Sequence, residues 1–276
     1  MKLRQRLKKW VYGSCPGFAG AVPYYGAQVY FPKGSLIFHL LCEQGIYEGE
    51  NLKVINALVD QGTTYIDVGA NIGLMAVPVL NYQDCSVISF EPSPNVLPFL
   101  ERTAGESQYR HRWKVIGKAA GDRIGETQFF ASMNGKHVFD GVRDTKRSGA
   151  VRATTVPVTT LDSEWEDAGR PRVSVIKIDV EGAELQILEG ARECIKTNRP
   201  YILIEWNEVN LRAFQLERDA ILKCAQQMSY ELFSVPAGIR LDNLVALKLQ
   251  MLAGDSFLMV PKEKLVSPER NGSQPS

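Results

Sequence analysis

The sequence predicts a doubly wound α/β fold, a mostly parallel sheet with helices on both faces. Three observations carry that prediction. From about residue 50, short β-branched runs alternate with helical segments. Several runs are almost continuously apolar, as strands covered on both faces are. One run ends in a two-glycine turn, Asp67-Val68-Gly69-Ala70-Asn71-Ile72-Gly73, leading into the apolar helical stretch Leu74 to Leu80.

The strands read as Tyr65 to Val68, Ser86 to Phe90, Trp113 to Ala119, Val173 to Ile178 and Tyr201 to Trp206, with Tyr230 to Val235 and Ser256 to Val260 completing the set. Asn51 is positioned to cap a helix over Leu52 to Val59, and Ser93 before Pro94 reads as an N-cap followed by proline at the first helical position. Pro78 and Pro98 interrupt their helical segments, which predicts short or bent helices. Glu181 to Lys196 and Val209 to Met228 carry apolar residues at helical spacing. Glu126 to Ala131 and Val151 to Val158 read as a hairpin with a long polar tip. The organisation expected is an N-terminal basic segment and cap over 1–46, one main domain over 47–262 with the hairpin inserted at about 126–158, and a disordered tail over 263–276.

Composition narrows the function classes. A chain of 276 residues, 45% apolar, supports one substantial core. The 32 basic and 31 acidic residues nearly cancel, which argues against a nucleic-acid substrate gripped by its phosphates. Five widely spaced cysteines without a Cys-x-x-Cys pair read as reduced thiols of a cytoplasmic protein. Residues 1–10 are basic, and the stretch after them is broken by glycine and proline, which makes a poor signal peptide. They read as a solvated helix or as a basic amphipathic helix touching a membrane surface. No apolar run is long enough to span a bilayer, and oligomeric state is not legible.

The glycine turn follows a strand end, where an open α/β sheet binds its ligand. Gly69 and Gly73 lack the Cβ atoms that would hold a ligand off the backbone, and the first helical N–H groups can receive an anionic group such as a carboxylate. The spacing is neither the Gly-x-Gly-x-x-Gly of dinucleotide enzymes nor a P-loop. Asp67 would repel a pyrophosphate but accept from an ammonium group, which suits a nucleoside with an amino-acid tail such as S-adenosylmethionine. Glu91, closing the second strand, is spaced to accept from ribose hydroxyls.

Ile66-Asp67-Val68-Gly69-Ala70-Asn71-Ile72-Gly73, Phe90-Glu91-Pro92-Ser93-Pro94, Thr160-Leu161-Asp162 and Lys177-Ile178-Asp179-Val180-Glu181-Gly182-Ala183-Glu184 occur in that order. Together they resemble the FkbM-type methyltransferase family, from about Tyr47-Glu48 to Glu205 and more loosely to Pro261. The resemblance implies a class I methyltransferase sheet, Rossmann-like, with seven strands of which the last is antiparallel. It implies methyl transfer from S-adenosylmethionine, usually to a hydroxyl of a sugar, glycan or polyketide. It places Asp67, Gly69, Asn71 and Gly73 around the methionine part, Glu91 on the ribose, and Ala120 and Asp122 near the adenine. Glu48, Ala70, Pro92, Ser93 and Asp179 complete the expected cofactor shell.

For the reacting centre, Asp179, Glu181 and Glu184 gather at the fourth strand's end, where they either cap a helix or face the substrate. On the functional reading Asp179 faces the reacting atoms and Glu181 accepts or orients the hydroxyl proton. Glu205 and His137 are further candidate bases. Asp162, Asp179 and Glu205 form a less favoured divalent-metal alternative, and the site expected is metal-free. The rival readings are a nicotinamide-dependent oxidoreductase and a catalytically silent cofactor-binding protein.

Overall fold

Every residue of Thr64-Tyr65-Ile66-Asp67-Val68 is buried, as a strand at the centre of a covered sheet requires. The structure is a computed structural model describing residues 19–133, 139–147 and 149–265. Its first half runs β1 (Gly20–Tyr24), β2 (Ala27–Phe31), α1 (Leu36–Gln44), α2 (Gly49–Leu58), β3 (Thr64–Val68), α3 (Ala76–Tyr82), β4 (Ser86–Phe90), α4 (Leu97–Glu106), β5 (Trp113–Ile116) and β6 (Ala119–Ala120). Then follow β7 (Gly125–Ser132), β8 (Val151–Thr159), α5 (Leu161–Asp167), β9 (Val173–Ile178), α6 (Glu184–Glu189), α7 (Arg192–Asn198), β10 (Tyr201–Glu205), α8 (Glu208–Phe214), α9 (Ala220–Gln227), β11 (Tyr230–Ser234), β12 (Arg240–Leu241), α10 (Leu244–Ala253) and β13 (Ser256–Pro261).

The main sheet has the order β12-β11-β13-β10-β9-β3-β4-β5. β5, β4, β3, β9 and β10 are parallel, and β13 runs antiparallel between β10 and β11. This is the class I methyltransferase topology, seven strands with the last antiparallel, plus the two-residue strand β12 on the edge. β4 and β5 lie on one side of β3 while β9 and β10 lie on the other. That reversal opens a crevice at the carboxyl end of β3.

Alternation along the strands fills two cores. Tyr65 and Val175 belong to one, whereas Ile66, Val68, Ile176 and Ile178 belong to the other. By the same alternation Asp67 and Lys177, which pair in register, share the face of Tyr65 and Val175. Two adjacent central strands thus put opposite charges side by side in the interior.

Several local expectations are corrected. The strand from Trp113 ends at Ile116, and Ala119–Ala120 instead pairs with β8 in a separate small sheet. α2 begins at Gly49 rather than Leu52, after Glu48 in the left-handed conformation (φ 45°). Asn51 is therefore no cap; its Nδ2 donates to Glu48 Oε2 and Ser256 Oγ, each at 3.1 Å. Ser93 heads a turn that precedes α4, whose cap position is Val96. Pro78 and Pro98 fall in first helical turns, where a missing N–H leaves no intrahelical bond unmade, so neither interrupts its helix.

The segment from Glu181 divides into α6 and α7 at Gly190, where a Cβ would come within 1.9 Å of Gly121 O. The segment from Val209 divides at left-handed Gln215, φ 57°. β7 and β8 pair antiparallel from Gly125↔Val158 to Ser132↔Val151. The β1–β2 hairpin and α1, unanticipated, cover one core face: Phe31 stacks on Phe38 with ring centroids 4.0 Å apart, and Tyr30 N donates to Thr103 Oγ1 at 3.0 Å. Residues 1–10, His137 and the tail from 266 lie outside the described residues. Among the described residues no helix is long and apolar enough to cross a membrane.

Gly190 has an ordinary backbone conformation, so its substitution isolates the contact with Gly121. Gly190→Ala should lower stability by about 3 kcal/mol, in the range of severe overpacking, with the denaturant midpoint moving and the slope unchanged.

Candidate active site

The cofactor half of the site begins with Asp67, which is wholly buried and has no hydrogen-bond partner at either carboxylate oxygen. The Tyr65 hydroxyl, on the same strand face, lies close enough to favour the Asp67 charge, but the two make no hydrogen bond of good geometry. Burial pushes the Asp67 carboxyl up to about 6, with the Lys177 ammonium opposing. A buried acceptor without a donor costs about 1–3 kcal/mol, so such a group is best explained by a ligand that serves it.

The glycine turn lines the cleft through Gly69, Ala70 and Asn71 and is tied to its neighbouring strands. Gly69 N and Ala70 N both donate to Phe90 O at 3.0 Å, and Asp179 N donates to Val68 O at 3.0 Å. Gly69 is left-handed (φ 85°), and a Cβ there would lie 1.9 Å from Asp179 O. Gly73 (φ 90°) faces the Trp113 ring, with an added Cβ only 2.7 Å from Cη2. The sequence reading that both glycines make room for a ligand is thereby corrected: each makes room for protein. Residues 71–75 are turns, and α3 starts only at Ala76.

Glu91 receives Asn71 N on Oε2 and Ser93 N on Oε1, both at 2.8 Å. Burial pushes its carboxyl up to about 7 against the pull of those two donors. Each oxygen keeps a lone pair, enough for two ribose hydroxyls. Asp140, from the β7–β8 connection, closes this side: its Oδ2 accepts from Ser93 Oγ at 2.8 Å and its Oδ1 from Ser132 N at 2.7 Å.

The cleft holds about 840 Å³ of empty space, counting space open to solvent. Of the expected residues, Gly69, Ala70, Asn71, Glu91, Pro92, Ala120, Asp179 and Glu181 line it. Asp67 lies behind Gly69, and Ser93 supports Glu91 and Asp140 from a buried position. Gly73 does not reach the cleft. Asp122 does not either: it is exposed, with its backbone against Gly190, because the chain turns outward after β6. Glu48 and Glu205 line an adjoining cavity that shares Lys177 and Asp179 with the cleft.

At the reacting edge, Lys177 Nζ donates to Asp179 Oδ2 at 2.8 Å, with Lys177 only 4% exposed. Burial alone would lower the lysine pKa, but Asp179, Glu48 and Asp67 outweigh it and keep the ammonium charged. Burial works against the Asp179 charge too; Lys177 and the Glu205 carboxyl overcome it and hold Asp179 below its usual range. Glu205 is pushed well above its usual range, first by burial and then by Asp179. The two shifts run in opposite directions, favouring charge on Asp179 and the protonated form on Glu205. Asn207 Nδ2 donates to Glu205 Oε1 at 3.0 Å.

Glu181 stands in a left-handed conformation (φ 64°) and is ion-paired with Arg147. Arg147 also donates to Asn210 Oδ1 at 2.7 Å and lies over the Phe139 ring. Glu184 accepts from Gly182 N at 2.8 Å, bracing the loop that carries Glu181. Asp162 accepts from Glu193 N and Cys194 N at the start of α7, so it is engaged away from Asp179 and Glu205. Among the described residues no group of three or more His, Cys, Asp or Glu side chains is arranged to hold a metal ion. Sequence reasoning missed Lys177, Tyr47, Asp140 and Arg147. Only Lys177 carried a signal, a charge inside the otherwise apolar run Val-Ile-Lys-Ile.

These residues fit S-adenosylmethionine on the structure's own terms: a partnerless buried carboxylate for an ammonium group, and spare acceptors on Glu91 for the ribose. Comparison with known proteins agrees. Residues 67–232 match the Methyltransferase FkbM domain. The chain is 26% identical over 214 residues to the 2-O-methyltransferase NoeI of Sinorhizobium fredii, covering 70% of this chain and 83% of that protein. It is 26% identical over 155 residues to methyltransferase sdnD of Sordaria araneosa, covering 46% and 60%. A solved methyltransferase FkbM from Methylobacillus flagellatus KT aligns over 80% of this chain at 20% identity and a TM-score of 0.47; this chain spans about half, 51%, of its length. The nicotinamide alternative gives way to the family match over residues 67–232. The chain belongs to the FkbM family of S-adenosylmethionine-dependent methyltransferases.

Proposed function

We propose that the protein methylates a hydroxyl oxygen of a sugar, glycan or related small molecule. The observation that supports this most is the Lys177–Asp179–Glu205 arrangement, which keeps one carboxylate charged at the edge of the cofactor cleft. When bound, S-adenosylmethionine supplies an activated methyl group on a positively charged sulfur. Asp67 meets the ammonium end of that molecule and Glu91 its ribose. An acceptor hydroxyl becomes strongly acidic only as it gains its new carbon bond, so a weak base suffices. Asp179 takes that proton, and Lys177 keeps it ionised until then. Glu181, the base expected from the sequence, is ion-paired with Arg147 much as Asp179 is with Lys177, and it lines the cleft; here it is assigned the positioning of the loop and the acceptor.

The relative NoeI is described as a 2-O-methyltransferase, which supports transfer to oxygen. A radiolabelled methyl-transfer screen against saccharides, lipid-linked glycans and polyketides tests the reading. A base-stable ether product is expected; label on nitrogen or carbon alone contradicts it.

Asp179→Asn should cut kcat by about 10²-fold or more, the usual worth of a positioned proton acceptor, with S-adenosylhomocysteine affinity little changed. Asp67→Asn should instead weaken that affinity about tenfold, measured by calorimetry, because an amide replaces the charge that meets the ammonium. Asp67 and Glu91 sit near 6 and 7 in the free protein and bind best when ionised. Affinity should therefore be full only well above pH 7 and fall as pH drops through 7 and then 6; a flat profile across that window contradicts the assignment.

A further inference from the structure

The cavity beside the cofactor cleft has walls of its own. They come from the start of α2 (Glu48, Asn51), the ends of β9 and β10 (Asp179, Glu205) and the approach to β13 (Asp255, Ser256), around about 450 Å³ of empty space. Lys177 and Asp179 form the boundary it shares with the cleft, so a molecule seated here abuts the reacting edge.

Its hydrogen-bonding character is one-sided. Four carboxyl groups, of Glu48, Asp179, Glu205 and Asp255, face a single ammonium. That ammonium is buried and already donates to Asp179, so its charge is balanced within the protein. The neutral donor is committed as well: Asn51 Nδ2 gives its hydrogens to Glu48 and Ser256. Arg147 faces Asp179, Glu205 and Asp255 from the β7–β8 connection, but it pairs with Glu181 and donates to Asn210. The Glu205 carboxyl is buried beside the Asp179 carboxylate, and its Oε2 receives no donor from the protein. Beyond the Lys177 ammonium, the Ser256 hydroxyl and the proton favoured on Glu205, the lining side chains offer acceptor oxygens, so the walls carry an excess of acceptors and of negative charge that suits a ligand bringing donors.

Resting on the methyltransferase reading above, we propose that this cavity is the acceptor subsite and that it takes a donor-rich, non-anionic glycosyl unit. Hydroxyls or an ammonium group satisfy the carboxyl oxygens. A carboxylate or phosphate on the same sugar would be desolvated against like charges that have no cation to spare, and is rejected. Glu205 and Asp255 are the specificity-determining residues. Asp255, exposed at the mouth, sets the preference for positive charge; Glu205, deeper in, receives a hydroxyl.

The test is saturation-transfer NMR on the full chain saturated with S-adenosylhomocysteine, using methyl glucoside, methyl glucosaminide and methyl glucuronide as probes. The glucoside and glucosaminide should bind, and the glucuronide at least tenfold more weakly. Asp255→Asn should narrow the gap between glucosaminide and glucuronide severalfold, and Glu205→Gln should weaken the glucoside. S-adenosylhomocysteine affinity, measured in the same samples and unchanged in both variants, separates failure of the acceptor assignment from failure of the cofactor site. Glucuronide binding as tightly as glucoside, no binding by any of the three at millimolar concentration, or discrimination unaltered by both substitutions overturns the proposal.

Discussion

The Lys177 ammonium, buried at the carboxyl ends of the central strands, governs the electrostatics of everything around it. It donates to Asp179 and lies in the field of Asp67 and Glu48. With the lysine charged, Asp179 keeps its charge and Glu205, in the same buried space, keeps a proton. Asp67, the register neighbour of Lys177 across the β3–β9 pair, is held lower than its burial alone would put it. A buried ion cluster of this kind is weak as a stabilising device, because desolvating the charges consumes most of the attraction between them. Its value is in fixing which carboxyl group is ionised at the place where a proton must be received.

A backbone contact joins this network to the cofactor cleft. Gly69 lets the Asp179 carbonyl approach to a distance no side chain permits, and the Asp179 amide donates to Val68 O. The turn after β3 and the loop after β9 are thus one packed unit. A shift in either moves both the residues that hold the nucleoside and the residue that faces the acceptor. Glu181, left-handed one step before Gly182, continues the same crowded crossing, and Glu184 braces it from beneath through the Gly182 amide.

The seven principal strands were legible because burial on both faces forces apolar runs at Tyr65, Val87, Val173 and Ile202. The breaks were not. α6 ends where Gly190 meets Gly121, a contact between residues far apart in sequence, and no local pattern announces it. The prolines misled for the converse reason: whether Pro78 bends a helix depends on where that helix starts, which tertiary packing decides. In the site, Asp67, Glu91 and Asp179 were found because each closes a strand at the edge where ligands bind. Asp122 and Asp140 show the limit. Both are acidic and near the third strand in space or sequence, yet Asp122 turns outward while Asp140, brought in by the hairpin connection, reaches Ser93 and Ser132. Glu181 was legible as a site residue, but its partner Arg147 was not, and that partner changes its chemistry.

The claim on which the account depends is that Asp179 is ionised and Glu205 protonated around a charged Lys177. Carbon-13 NMR titration of the side-chain carboxyls, assigned with Asp179→Asn and Glu205→Gln, measures this directly in the S-adenosylhomocysteine complex. The account predicts an Asp179 resonance that titrates below the usual aspartate range and a Glu205 resonance that stays protonated through neutral pH. Two carboxyls titrating together near ordinary values, or a protonated Asp179 beside an ionised Glu205, would contradict it.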